Sequence, residues 1–195
     1  MKSKLFLSAI IKFFSGVLIV FLLLFIPAGS FEYTNGWLLM ELLFLPMFIV
    51  GMILLAKNPK LLENRLDAKE KEMEQKKVVI TSGLMFIIGF VLAGLNYRFS
   101  WILLPDIVVY IVSGIFIISY ILYAEVLREN PYLFRTIEVK ENQELVDTGL
   151  YGIVRHPMYT TTVFLFLSMP LILNSIISFV IFLIYPYIIS RRIKN

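Results

Sequence analysis

Six stretches of almost uninterrupted apolar residues follow one another along the chain, and they constrain its fold more than any other feature. The first four contain 22, 20, 18 and 23 residues, close to the roughly 20 that a helix needs to cross a bilayer. The last two contain 16 and 15 residues and are separated by Asn174-Ser175. The stretches are 5–26, 37–56, 78–95, 102–124, 158–173 and 176–190.

These lengths predict an all-α integral membrane protein in which four transmembrane helices are followed by a C-terminal helical hairpin, all within one multi-pass domain, 1–195. The composition agrees, since 59% of the residues are hydrophobic and 16% are charged, against about 25% charged in soluble domains. The mean hydropathy is +0.84. We expect the first helix to be retained, because its apolar stretch exceeds the roughly 7–15 residues of a signal peptide.

The Lys and Arg residues predict the orientation of these helices. Sixteen of the 18 lie at the N-terminus, in the connections 57–77 and 125–157, or at the C-terminus. Arg98 lies on the opposite side, and Lys12 lies inside the first apolar stretch. Because positive charge is enriched in cytoplasmic loops, both termini and both long connections are predicted to be cytoplasmic.

The chain has no cysteine and one histidine, which argues against a disulfide framework and against a metal site. Its net charge of +4 could indicate nucleic acid. However, the basic residues flank the apolar stretches instead of forming one charged face, so we expect membrane topology to explain them and predict no nucleic-acid partner.

The connection 57–77 has two readings. Leu61, Leu62, Arg65, Leu66 and Lys69 follow a helical spacing, which predicts an interfacial amphipathic helix. The interleaved basic and acidic residues fit a solvated connector near the headgroups equally well.

The connection 125–157 contains 33 residues, and a long loop on a rigid scaffold is where function tends to reside. Alternating polar and apolar residues predict two short strands, 136–140 and 144–147. Asp147-Thr148-Gly149 is then a turn that leads back towards the membrane.

The segment that follows this turn carries the candidate chemistry. Pro157 suits the first position of a helix, which puts Arg155 and His156 at the positive end of the helix dipole. A guanidinium, an imidazole and free N–H groups suit a carboxylate or a phosphate. Each residue also has a simpler interpretation, Arg155 as a topology anchor, His156 as an interfacial polar residue, and Tyr151 and Tyr159 as members of an aromatic belt.

Taken together, these residues show a family resemblance. The string LVDTGLYGIVRHPMY, 145–159, resembles the core motif of the isoprenylcysteine carboxyl methyltransferases and their prokaryotic relatives. Three further segments, in the same order as in that family, resemble its N-P-E-L-L, L-D-Y-R-F and E-N-P-F motifs. They are Asn58-Pro-Lys-Leu-Leu62, Leu95-Asn-Tyr-Arg-Phe99 and Glu129-Asn-Pro-Tyr132, so that the resemblance covers about 55–195.

The resemblance implies a methyltransferase of a prokaryotic cell membrane that uses S-adenosylmethionine and methylates a lipophilic or lipidated acceptor, by carboxyl O-methylation of the isoprenylcysteine type. It implies a cytoplasmic active site in which Arg155 and His156 are catalytic and Arg192 contacts the substrate. His156 is expected to position the cofactor, since a carboxylate acceptor is already ionised and needs no general base. The implied cofactor-binding residues are Gln143, Glu144, Leu145, Val146, Tyr151, His156, Pro157, Met158 and Tyr159.

Two departures from the family pattern qualify this expectation. Thr161 occupies a position where the family often has glycine, and modest repacking is expected there. The chain ends at Arg191-Arg192-Ile-Lys-Asn195, before the family's Glu-Glu pair, and we expect that the sequence is truncated at this point. The alternatives are a natural short form that is an inactive membrane scaffold, and a sterol-reductase-like enzyme that binds NADPH at a similar R-H-P-x-Y segment.

Overall fold

The computed structural model describes residues 2–66, 73–130 and 148–194, and these residues form helices joined by short turns. No strand occurs among them, which confirms the predicted all-α membrane fold. The predicted strands 136–140 and 144–147 lie outside the described residues. The helices are α1 Lys2–Ala28, α2 Thr34–Lys57, α3 Pro59–Leu66, α4 Met73–Phe99, α5 Asp106–Glu129, α6 Leu150–Ile153, α7 Pro157–Ile172, α8 Ile176–Phe182 and α9 Tyr185–Lys194.

Five segments of the described chain are long and apolar enough to cross a membrane: α1, α2, α4, α5, and α8 with α9 as one segment, Ile176–Ile193. Helix α7 is also apolar but has 16 residues. Large apolar side chains remain exposed along the outside of the bundle, with Ile26 and Tyr110 each 68% exposed. Exposure of this kind is favourable next to lipid, because the lipid tails are as apolar as the side chains.

The last predicted helix, 176–190, is in fact two helices, α8 and α9, joined by a turn at Leu183 and Ile184. Pro186 explains the break, because a proline ring clashes with the carbonyl group four residues earlier, here that of Phe182. The fourth helix begins at Asp106 and not at Ile102, since Pro105 disfavours helical backbone in the residue before it.

The helices pack as a bundle in which α5 lies against α7, and α4 lies between α1 and the C-terminal hairpin. Phe116, Phe182 and Leu24 are fully buried in its core. Gly94 allows α4 to approach α1 closely, because a Cβ at this position would lie 2.5 Å from the Leu24 carbonyl oxygen. A small residue at this contact is the usual way in which membrane helices bring their backbones together.

One end of the bundle, which we call the polar end, is closed by hydrogen bonds between turns that are distant in sequence. The Tyr33 hydroxyl donates to the Leu173 carbonyl at 2.7 Å, and the Asn35 side-chain amide donates to the Ile172 carbonyl at 2.8 Å. The side chain of Asn96, 1% exposed, donates to the carbonyl groups of Ile102 and Asn174. The turn that follows α7 is therefore hydrogen-bonded to residues beside the two other turns at this end, the α1–α2 turn and the α4–α5 turn.

The opposite end, which we call the basic end, contains α3 and the beginning of α7. The predicted amphipathic helix is confirmed as α3, which buries Leu61 and Leu62 against the bundle. Asn58 caps it by accepting a hydrogen bond from the Leu61 N–H at 3.1 Å. The Lys12 ammonium of α1 donates to the Leu66 carbonyl at 2.6 Å, at the C-terminal end of α3. This contact is favourable, since that end of a helix carries partial negative charge.

Candidate functional site

The start of α7 is formed as the sequence predicts, with His156 as the N-cap residue and Pro157 in the first turn. The side chains of Arg155 and His156 are exposed. Within the described part of the chain neither forms a hydrogen bond or an ion pair, and the His156 ring lies 6.0 Å from that of Tyr159. The N-terminal end of α7 thus presents two basic side chains that are available to an anion.

Tyr151 lies in α6, beside this helix start. Its side chain is half-buried, and its hydroxyl oxygen accepts a hydrogen bond from the Asn130 side-chain amide at 3.1 Å. Burial raises the pKa of Tyr151 above its ordinary value, and the Glu129 carboxylate raises it further. The Asn130 hydrogen bond and the positive charge of Arg65 oppose this rise. Tyr151 is therefore neutral at physiological pH and offers its ring as an apolar surface.

Glu129, the last residue of α5, fixes the turn that leads into α6. Its carboxylate accepts a hydrogen bond from the Leu150 N–H at 3.0 Å. Gly149 has a positive φ of 56°, and a Cβ there would lie 1.5 Å from a Glu129 carboxylate oxygen. Glycine is therefore required by both the backbone conformation and the available space. Glu129 belongs to a motif that the sequence singled out, but its contact with this turn was not predicted.

Arg65 is a residue of this site that sequence reasoning missed as a functional candidate. Its guanidinium lies 3.9 Å from the Met158 sulfur and donates a hydrogen bond to the Tyr123 hydroxyl. It also lies 5.8 Å from the centroid of the Tyr123 ring. Helix α3 thereby brings a positive charge to the start of α7. The N-P-x-L-L resemblance at 58–62 is the sequence signal that points to this helix.

Helix α9 adds a second set of side chains at the basic end. Tyr185 is buried, and its side chain interacts with the Thr162 side chain. Arg192, the predicted substrate contact, is half-buried and within electrostatic range of Tyr185, as are Tyr123 and Tyr159. The structure therefore places Arg192 at the same end of the bundle as the start of α7.

The structure places part of the predicted site only. Tyr151, Arg155, His156, Pro157, Met158 and Tyr159 lie on α6, on α7 and on the turn between them. Four further predicted cofactor-binding residues lie outside the described residues, namely Gln143, Glu144, Leu145 and Val146. Their roles stay predictions.

Comparison with known families supports the resemblance read from the sequence. Residues 107–194 match the family model described as phospholipid methyltransferase. That family is grouped with the isoprenylcysteine carboxyl methyltransferases, so the suspected relationship is confirmed at the level of this group. The match extends from the start of α5 to α9 and includes the Arg155-His156-Pro157 segment. Comparisons with curated proteins and with solved structures found no match.

Proposed function

Because residues 107–194 match a methyltransferase family, we propose that this protein is a membrane methyltransferase that transfers a methyl group from S-adenosylmethionine to a lipophilic acceptor. The observation that carries the proposal is the pair of exposed basic side chains, Arg155 and His156, at the N-terminal end of α7. Carboxyl O-methylation of the isoprenylcysteine type is the first candidate reaction. N-methylation of a phospholipid amine is the second, and the family match favours it specifically.

The residues at the start of α7 fit the chemistry of this cofactor. Arg155, His156 and the first N–H groups of α7 would hold its carboxylate, since each is a hydrogen-bond donor at the positive end of a helix. The side chains of Tyr151, Met158 and Tyr159 would contact its adenosine, because a nucleoside requires apolar and aromatic surfaces. Both sets of residues lie within nine positions of the sequence, on α6, on the first turn of α7 and on the turn between them.

S-adenosylmethionine supplies an electrophilic methyl group, and the electron pair of the broken carbon–sulfur bond stays on sulfur. The protein then has to align the acceptor with that methyl group and exclude water. A carboxylate acceptor is ionised at pH 7 and needs no base. A protonated amine must first lose a proton, and the exposed imidazole of His156 is suited to accept it.

The cofactor assignment is tested by titrating the protein with S-adenosylmethionine and with NADPH in a calorimeter. We expect S-adenosylmethionine to bind, and Arg155→Ala and His156→Ala each to weaken it about 10-fold, which corresponds to ~1.4 kcal/mol. Arg128→Ala is the matched control, since Arg128 is an exposed arginine that forms an ion pair with Glu125 on α5. Binding of NADPH alone, or wild-type affinity in both variants, would refute the assignment.

The two reactions are separated by the product. Protein in vesicles is supplied with methyl-labelled S-adenosylmethionine and either a prenylated cysteine or phosphatidylethanolamine. A methyl ester releases labelled methanol in alkali, whereas a methylated amine keeps its label. Label that alkali releases indicates O-methylation, and stable label in the phospholipid indicates N-methylation.

A further inference from the structure

A cavity of about 340 Å³ lies at the basic end, with Arg65 in its wall. It is lined by the N-terminal half of α1, the C-terminal half of α2, α3, and the C-terminal half of α5. Its volume falls at the lower end of the ~300–1,000 Å³ of small-molecule pockets. It lies mainly between helices α1 to α3, which precede the matched family segment.

The wall of this cavity is apolar over most of its surface. Its residues are chiefly aromatic and aliphatic, and they include Phe6, Phe13, Met52, Leu55 and Leu62. Two ionised side chains complete the lining, Lys12 from α1 and Arg65 from α3. Both are cations, and none of the described lining residues is acidic. The cavity is therefore complementary to a molecule with a hydrocarbon chain and a negative charge.

Lys12 is the less expected of the two cations, because it lies within an apolar transmembrane helix. A lysine in this environment is costly, and such residues usually mark a binding site or a pathway. Its ammonium group has three donors, of which one is directed to the Leu66 carbonyl. That contact holds Lys12 at the cavity wall next to α3 and leaves further donors for a ligand.

Arg65 connects the cavity to the candidate cofactor site. Its guanidinium lines the cavity and also lies 3.9 Å from the sulfur of Met158 in the first turn of α7. A negative group bound at Arg65 would therefore be adjacent to the start of α7. The hydrocarbon chain attached to that group would extend between α1 and α2, away from the site.

We propose that this cavity binds an anionic amphiphile, with its hydrocarbon chain between α1, α2 and α5 and its carboxylate or phosphate at Lys12 and Arg65. The proposal rests on the proposed function in one respect, since it assigns this amphiphile as the methyl acceptor. The binding itself is independent of methyl transfer and can be measured without the cofactor.

The charge requirement is tested by binding of radiolabelled dodecanoate to the full chain in phosphatidylcholine nanodiscs. Dodecyl phosphate, dodecanol and dodecyltrimethylammonium serve as competitors. We expect dodecanoate or dodecyl phosphate to bind at least 10-fold more tightly than the other two, and the tighter of these two anions identifies the negative group. Equal competition by dodecanol would overturn the proposal, because a chain alone would then account for binding.

The two cations are tested by Lys12→Gln and Arg65→Gln, each expected to weaken dodecanoate or dodecyl phosphate binding about 10-fold. Lys12→Arg should restore most of the affinity, because it keeps the positive charge. Lys4→Gln is the matched control, since Lys4 is an exposed lysine two turns earlier on α1 and is not among the residues that line the cavity. Equal losses in Lys4→Gln and Lys12→Gln would indicate nonspecific attraction and overturn the proposal.

The position of the chain is tested by filling the cavity from Gly51, which lies in its wall. A Cβ at Gly51 meets no atom within 4 Å, and the same is true at Gly83 on the outside of α4. We expect Gly51→Leu to reduce binding at least 10-fold and Gly83→Leu to leave it unchanged. Wild-type binding in Gly51→Leu would exclude this cavity as the chain site.

Calorimetry with S-adenosylhomocysteine on the same variants separates the two proposals. Gly51→Leu and Lys12→Gln should bind S-adenosylhomocysteine with wild-type affinity while they lose the amphiphile, which would place the two ligands in separate sites. If the wild-type protein binds the anionic amphiphile but not S-adenosylhomocysteine, the proposed function fails and the binding site remains. If the wild-type protein binds S-adenosylhomocysteine but not the anionic amphiphile, the proposed binding site fails and the proposed function stands.

Discussion

The turn that leads into the candidate site depends on Gly149, because there is no room for a Cβ atom at this position. Gly149→Ala places a methyl group against the Glu129 carboxylate, at a backbone φ of 56° that other residues rarely adopt. We expect the hydrogen bond between Glu129 and the Leu150 N–H to be lost, and the strained backbone at this position to cost roughly 1–3 kcal/mol. A lower Tm and weaker S-adenosylmethionine binding, both relative to Gly83→Ala, would show this. An unchanged Tm would contradict it.

The raised pKa of Tyr151 predicts that the stability of the protein depends on pH under alkaline conditions. Its pKa in the folded protein is raised, mainly by burial, above the ordinary value of 10.0. The folded state therefore holds the phenolic proton more tightly than the unfolded state, and this contribution to stability is complete below pH 10. It is lost as pH rises through the pKa of the folded state. Melting curves should show a smaller alkaline loss of Tm above pH 10 in Tyr151→Phe than in the wild type, and parallel losses would contradict the assignment.

For single residues, the sequence predicts the positions and contacts of those that are close together along the chain. Arg155, His156 and Pro157 could be assigned to a helix start, because the proline specifies the first turn locally. Arg65 could not be assigned to the site, since its partners Tyr123 and Met158 are 58 and 93 residues away. Contacts over such separations depend on how α3 packs, which the sequence pattern does not specify.

Among the helices, α3 is the element whose stability is most readily tested, because it has eight residues and one clear cap. Asn58→Ala removes the oxygen that accepts the Leu61 N–H, and a lost cap of this kind costs about 1 kcal/mol. We expect faster hydrogen exchange of the amides in 59–66 and little change in α5. Asn58→Asp keeps the capping oxygen and serves as the control. Equal exchange in Asn58→Ala and wild type would show that tertiary contacts alone hold α3.

The apolar stretches predict the transmembrane helices because a spanning helix must be apolar over about 20 residues. They do not predict where each helix ends. Helix α4 begins at Met73, five residues before its apolar stretch, since the polar residues there continue the helix outside the hydrocarbon layer. The break before α9 follows from Pro186, whose effect on Phe182 is a matter of backbone geometry and not of hydropathy.

For the whole molecule, Asn96 is the residue that holds the turns of the polar end together. Asn96→Ala removes its hydrogen bonds to the carbonyl groups of Ile102 and Asn174. Hydrogen bonds between membrane helices contribute about 0.6 kcal/mol each on average, so we expect a loss of roughly 1–2 kcal/mol. Unfolding in mixed micelles would measure it. Thr34→Ala is the control, as Thr34 is exposed and bonds to its neighbour Asn35, and equal losses in both variants would count against a bridging role.

Orientation is a property of the whole molecule that stays a prediction. The structure groups Lys12, Arg65, Arg155 and Arg192 at one end of the bundle, as the charge distribution requires. Placing that end in the cytoplasm rests on the enrichment of basic residues in cytoplasmic loops. Labelling of a cysteine introduced at Thr148, which is exposed, would determine the side in intact cells. Labelling by an impermeant reagent from outside would reverse the assignment.

The polar end also has a consequence for the order in which the chain is assembled. Tyr33 and Asn35 enter the membrane early in synthesis, but the carbonyl groups that they bind are 140 and 137 residues later. Until the ribosome has delivered the turn after α7, both side chains have to find water or lipid headgroups as temporary partners. Closure of this end therefore has to wait for the synthesis of that turn, and a nascent chain that is stalled before Ile172 should remain open there and be recognised by quality-control proteases.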